Sequence, residues 1–117
     1  MRAFRPTASA SSVTAPLLSL ALALAGACES EVDPQRLADA AALEGDAENG
    51  ADLYDAECKR CHGPDGNGRG VGPELAGQSL PVDVVIEAML RGPGSMPTFK
   101  KKSDQFLADV AAYVSSL

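Results

Sequence analysis

The sequence predicts an all-α domain, and three observations carry that expectation. Apolar residues recur at helical spacing, as in Phe106, Val110, Tyr113 and Leu117, whereas no run alternates apolar and polar residues as a half-buried strand does. The periodic stretches are separated by glycine- and proline-rich segments, above all Gly63 to Gly70 and Gly92 to Gly94. The chain is also short, at 117 residues, and poor in aromatic side chains, with 3 Phe, 2 Tyr and no Trp. One small domain is the most such a chain builds. Its side chains alone make a marginal core, so something besides protein is expected to help fill it.

Charge narrows the partners. With 10 Lys+Arg against 16 Asp+Glu the net charge is -6, and no global surplus of cations exists to neutralise phosphates, which excludes a nucleic-acid binder.

The N-terminus reads as an export signal. Arg2 and Arg5 supply positive charge, no acid occurs before Glu29, and Leu17 to Ala25 is a compact apolar run. The apolar stretch ends at Cys28 and falls short of the roughly 20 residues a membrane-spanning helix needs. Residues 1–27 are therefore expected to be a signal peptide. Ala25-Gly26-Ala27 offers small residues for cleavage, and with Leu24 before them and Cys28 directly after, the stretch resembles a lipobox, which implies that Cys28 is lipidated and becomes the mature N-terminus. Ordinary cleavage at the same bond, leaving a free thiol, is the alternative. Both place the protein outside the cytoplasm, on the periplasmic side, and the first makes it a membrane-anchored lipoprotein.

Residues 28–45 are acidic and alanine-rich, interrupted by Pro34, and are expected to form a tether with at most a short helix over Arg36 to Glu44. As a flexible coil such a segment reaches on the order of 25 Å. The domain proper is expected over residues 46–117. Gly50, Tyr54 and Cys58 recur every four residues, on one face of a helix that runs into a cysteine pair. The loop Gly63 to Gly70 is too rich in glycine to be helical. Pro81 opens a helix over Val82 to Leu90, which Gly92-Pro93-Gly94 ends. Ser103 is placed to cap the last helix, whose apolar stripe is Phe106, Val110, Tyr113 and Leu117.

The chemistry lies in Cys58-Lys59-Arg60-Cys61-His62. Two thiols three residues apart can each add to a haem vinyl group, and the adjacent histidine then reaches the iron as its proximal ligand. The pattern predicts one covalently bound haem c. A zinc site needs four ligands, and the chain offers no other histidine and only Cys28 besides. A thioredoxin-like pair needs a strand before it, and none is visible. Asp65-Gly66-Asn67 opens like a calcium loop, but Arg69 and Ala76 occupy positions that need oxygen ligands. No Ser/His/Asp set and no phosphate-binding glycine loop can be assembled.

From about Gly50 to Leu117 the sequence resembles the class I cytochromes c of the small single-haem bacterial kind. Gly72-Pro73-Glu74-Leu75-Ala76-Gly77 is similar to the family segment in which a proline carbonyl accepts a hydrogen bond from the proximal histidine, a role that falls to Pro73 acting on His62. Ser95-Met96-Pro97-Thr98-Phe99 resembles the distal loop, so the resemblance implies Met96 as the sixth iron ligand. Met89, preceded by Val85 and Ile86 at helical spacing, is expected in the core instead. Gly50, Tyr54 and Tyr113 match the positions where the family's first and last helices cross. The implied fold is three to four helices around the covalent haem.

Iron held by histidine and a thioether has no open position, so the expected role is that of an electron carrier rather than an enzyme, with a raised reduction potential. Expected partners are redox proteins, whether oxidase, reductase or dehydrogenase. Two rivals are a gas sensor or peroxidase-like protein with a labile Met96, and a fixed relay subunit of a larger oxidoreductase. Arg91 and Gln78 are candidates for contacting the haem propionates. Lys59 and Arg60, with Lys100 to Lys102, form a candidate basic docking patch on an acidic body.

Overall fold

The computed structural model describes residues 31–117; the expected signal peptide and Cys28 lie outside the described residues. Five α-helices follow in order: α1 (Pro34–Ala41), α2 (Ala47–Glu57), α3 (Lys59–His62), α4 (Val82–Arg91) and α5 (Asp104–Ser115). A single 3₁₀ turn, Pro64–Gly66, is the other helical piece, and no strand forms among the described residues. None of the described helices is long and apolar enough to cross a membrane.

The helix starts follow from short polar side chains. Asp33 accepts the Gln35 and Arg36 amides, Asp46 those of Glu48 and Asn49, and Ser103 Oγ that of Phe106, so each satisfies donors that the first turn leaves free. Pro81 stands at the N-cap position of α4 without a side-chain bond, and Gly92 ends the helix in the left-handed region at φ 66°.

The short helix expected over Arg36 to Glu44 forms as α1, two residues earlier, but it is docked on the domain rather than loose. Pro34 does not interrupt the segment; it opens a helix at the first position, where a missing N–H costs nothing. That helix docks on α4 and α5, burying Ala40 completely and packing Leu37 against the core. The loop after α3 also differs from the glycine-driven expectation. It contains the one 3₁₀ turn, with Asp65 at φ 52°, a conformation short polar side chains tolerate.

α2 and α5 cross at the centre of the domain. A Cβ on Gly50 would stand 2.0 Å from the Asp109 carbonyl oxygen, so the two backbones meet at a distance only glycine permits. Tyr54 and Tyr113 flank this crossing with ring centroids 5.2 Å apart and planes at 56°, a tilted pair. Tyr54, Ile86, Leu90, Leu107 and Val110 are the largest fully buried side chains. The buried face of α5 is Leu107, Val110, Ala111 and Val114, with Phe106 and Tyr113 on its margins. It is wider than the expected stripe because α5 packs against α1, α2 and α4 together.

Between α2 and α5 lies a buried carboxylate. Asp109 accepts the Asp46 backbone N–H at 2.8 Å, Asn49 Nδ2 at 2.7 Å and Gln105 Nε2 at 2.7 Å. Burial alone pushes its carboxyl pKa up, but these three donors outweigh that and hold it below the usual carboxylate range.

Candidate haem-attachment site

Cys58 ends α2 and begins α3. Its φ of -112° turns the chain, and its carbonyl accepts both the Cys61 and the His62 amides at 3.0 Å, closing one helical turn. Residues three and four positions apart in such a turn share a side, so Cys58, Cys61 and His62 are grouped by local backbone geometry. Both thiols are free and half-buried. Burial first, then the neighbouring Glu57 carboxylate and Cys61, push the Cys58 thiol up to about 11, so it is neutral at ordinary pH.

His62 is buried, and its ring is oriented from one side. Nδ1 lies 2.9 Å from the Pro73 carbonyl oxygen, which can only accept, so Nδ1 carries the proton and Nε2 keeps a bare lone pair. The segment before Pro73 lies flat against the attachment turn. Gly72 N–H donates to the Cys61 carbonyl at 2.7 Å, and a Cβ on Gly72 would stand 3.0 Å from the imidazole ring. Gly68 N–H donates to the His62 carbonyl at 2.7 Å. Tyr54 adds a tie expected only as packing: its hydroxyl donates to the Gly63 carbonyl at 2.8 Å, fixing the turn directly after His62. Burial, followed by the Cys58 thiol, pushes the Tyr54 phenol up to about 12, so it remains a donor.

Met96 occupies a different loop, between α4 and α5, half-buried against the core, with its N–H on the Pro93 carbonyl at 3.1 Å. Met89 is 2% exposed within α4 and belongs to the core. The Met96 loop is closed by Phe99, which is buried and donates its N–H to the Met89 carbonyl at 2.8 Å.

The residues fit a covalently attached haem. Two unpaired thiols sit one helical turn apart, and a buried imidazole has Nδ1 committed to the Pro73 carbonyl, which leaves Nε2 as the nitrogen able to bind a metal, the donor set that chemistry requires.

The expected charged residues are more self-contained than the sequence implies. Arg91 pairs with Glu87 on its own helix, and Gln78 is exposed. Lys59 pairs with Asp55 at 2.9 Å; Lys102 pairs with Glu57 at 2.6 Å and lies over the Phe106 ring. Sequence reasoning did not find Asp109, although a lone acid inside Leu107-Ala108-Asp109-Val110-Ala111 was a visible signal. Nor did it find Arg36, whose partners are far away in the chain.

Known proteins are similar to this chain. The family described as cytochrome C oxidase, cbb3-type, subunit III, matches residues 45–114. The 4-cresol dehydrogenase [hydroxylating] cytochrome c subunit of Pseudomonas putida is 39% identical over 71 aligned positions, which cover 59% of this chain and 60% of that one, so the match spans less than two thirds of that relative. Cytochrome c-554(547) of Halothiobacillus neapolitanus is 34% identical over 89 aligned positions, covering 62% of this chain and 98% of that one. Cytochrome c6 of the diatom Phaeodactylum tricornutum aligns with a TM-score of 0.46 at 28% identity, over 62% of this chain and 93% of the other.

Proposed function

Because the chain belongs to the cytochrome c family, of the small single-haem class I kind, we propose that it carries single electrons between redox proteins. Cys58 and Cys61 hold one haem c through thioether bonds, His62 is the proximal iron ligand and Met96 the distal one. When bound, the haem supplies one-electron chemistry between ferric and ferrous iron.

The chain's own residues do the positioning. The observation that carries this reading is the His62 Nδ1 hydrogen bond to the Pro73 carbonyl at 2.9 Å, which selects the tautomer with Nε2 available to a metal and raises its basicity. Tyr54 holds the following turn, and Gly72 lets the Pro73 segment lie against the ring. The Met96 thioether would be the second ligand held by the chain, and such a ligand would exclude water and favour the reduced state. The apolar residues packed around Cys58 and Met96 supply a low-dielectric wall.

Export follows from the leader: residues 1–27 are a signal peptide, Cys28 carries a lipid, and the domain works on the periplasmic side of the membrane to which it is tethered. Its partners are an oxidase, reductase or dehydrogenase. With Lys59 and Lys102 already paired, Arg60, Lys100 and Lys101 remain exposed to orient an acidic partner. A second reading, a fixed relay subunit rather than a mobile carrier, is favoured by the similarity to a dehydrogenase cytochrome subunit. Gentle solubilisation and sizing of the native protein separates the two: a carrier elutes alone, a subunit elutes with a large redox partner. Replacing both Cys58 and Cys61 with alanine removes haem that survives denaturing electrophoresis; retained covalent haem would refute the attachment site.

A further inference from the structure

α1 lies outside the matched family span of residues 45–114, yet it reaches the far end of the Met96 loop. Arg36, half-buried on α1, uses all three guanidinium nitrogens there. Nη1 donates to the Lys100 carbonyl, Nη2 to the Lys102 carbonyl at 2.7 Å, and Nε to Asp104 Oδ1 at 3.0 Å. Asp104 begins α5, so the fork grips the two carbonyls that precede that helix together with its first residue. A guanidinium is suited to this because its donors are rigid and planar and stay charged. The helix that carries it is itself fixed, by the Asp33 cap and by burial of Ala40.

The Met96 loop otherwise has few anchors. Its start is tied by Gly92 to the Ala88 carbonyl and by Met96 to the Pro93 carbonyl, and its middle by Phe99 to the Met89 carbonyl. Beyond Phe99 the ties are Lys102 N–H to the Phe99 carbonyl at 3.0 Å, the exposed Lys102–Glu57 pair, and Arg36. Gly94 sits at φ 58°, with nothing within 4 Å of where a Cβ would stand, so no packed neighbour holds the loop there.

We propose that Arg36 is a positioning residue for the distal ligand: α1 is a built-in strut whose guanidinium fork holds the 100–104 segment down and thereby keeps the Met96 loop closed. The proposal rests on Met96 being the distal ligand. A thioether on a tethered loop dissociates whenever the loop opens, so its apparent strength depends on the open fraction, which the fork suppresses.

The test uses the full haem-loaded protein. Imidazole, added to the oxidised form, binds iron only when Met96 has left, so its apparent affinity reads the open fraction. Loss of the charge-assisted bonds in Arg36→Ala is expected to tighten imidazole binding about tenfold and to weaken the thioether-to-iron absorption band at the red end of the oxidised spectrum. Arg36→Lys keeps the charge but not the fork and should fall between. Hydrogen exchange at the Phe99 and Lys102 amides should quicken in both variants, a readout independent of the iron. Asp109→Asn, which disturbs the α2–α5 seam away from this loop, serves as the control for general destabilisation. The proposal is overturned if Arg36→Ala binds imidazole no more tightly than Asp109→Asn at matched global stability. If the unaltered oxidised protein lacks the thioether band altogether, Met96 is not the ligand, and this proposal falls with that reading.

Discussion

The two sides of the site are built differently. The proximal segment, from Cys58 to Pro73, is held by its own backbone: Cys58, Cys61 and His62 each accept amides within the segment, and glycines press the chain against them. The distal loop, from Gly92 to Ser103, has backbone ties at Gly92, Met96, Phe99 and Lys102, and its far end is also held by side chains from elsewhere, Arg36 on α1 and Glu57 on α2. Local backbone ties leave few alternative arrangements, whereas side-chain clamps can be released singly. Under the proposed reading, the proximal side suits permanent attachment and the distal side suits adjustment.

The largest expected effect is on the proximal side. A Cβ on Gly70 would stand 2.3 Å from the Cys61 carbonyl oxygen, so Gly70→Ala forces the attachment turn to move and should cost about 3 kcal/mol in denaturant unfolding of the loaded protein. On the distal side, Gly94 has nothing within 4 Å of an added Cβ. Gly94→Ala should cost only the left-handed backbone penalty, roughly 1 kcal/mol. Equal losses at the two positions would erase the contrast.

Next in size is Tyr54→Phe, which leaves the Gly63 carbonyl without its buried donor. A loss of about 1–3 kcal/mol is expected, with slower covalent loading of haem because the turn after His62 is looser. Unchanged stability and loading would reduce Tyr54 to packing alone.

Asp109 sharpens the comparison by pH. Its carboxyl pKa is depressed in the folded protein, so the stability it contributes is complete above the unfolded value of about 3.9 and is lost as pH falls through the folded value. Acid unfolding of Asp109→Asn, followed by circular dichroism, should therefore show a shallower fall in stability below about pH 4 than the unaltered protein does. The smallest effect belongs to Lys102→Ala. Its pair with Glu57 is exposed, and truncation should cost under about 1 kcal/mol, less at high salt.

The same division governs how much was legible in the sequence. The attachment turn and the helix starts at Ser103 and Pro81 depend on residues close together in the chain, and spacing reveals them, whereas the Pro73 partner of His62 came from the family resemblance. Gly50 and Tyr54 were placed at the α2–α5 crossing by resemblance. What pattern could not show is pairing across distance. Arg36 and Lys102 are far apart in sequence, and an arginine in an acidic, alanine-rich stretch looks like tether until its partners are seen. Pro34 misled for a local reason, since a proline reads equally as an interruption or as a first helical residue. The basic cluster was read from sign and from the family's layout, and the acids that neutralise Lys59 and Lys102 come from α2.

The most direct test of the central claim is the visible absorption spectrum of the purified, haem-loaded protein, oxidised and reduced, with and without carbon monoxide. A closed His62/Met96 site predicts sharp reduced bands, a weak thioether-to-iron band in the oxidised form, and no response to carbon monoxide. A reduced spectrum that shifts on adding carbon monoxide would contradict it, placing an open position where Met96 should be.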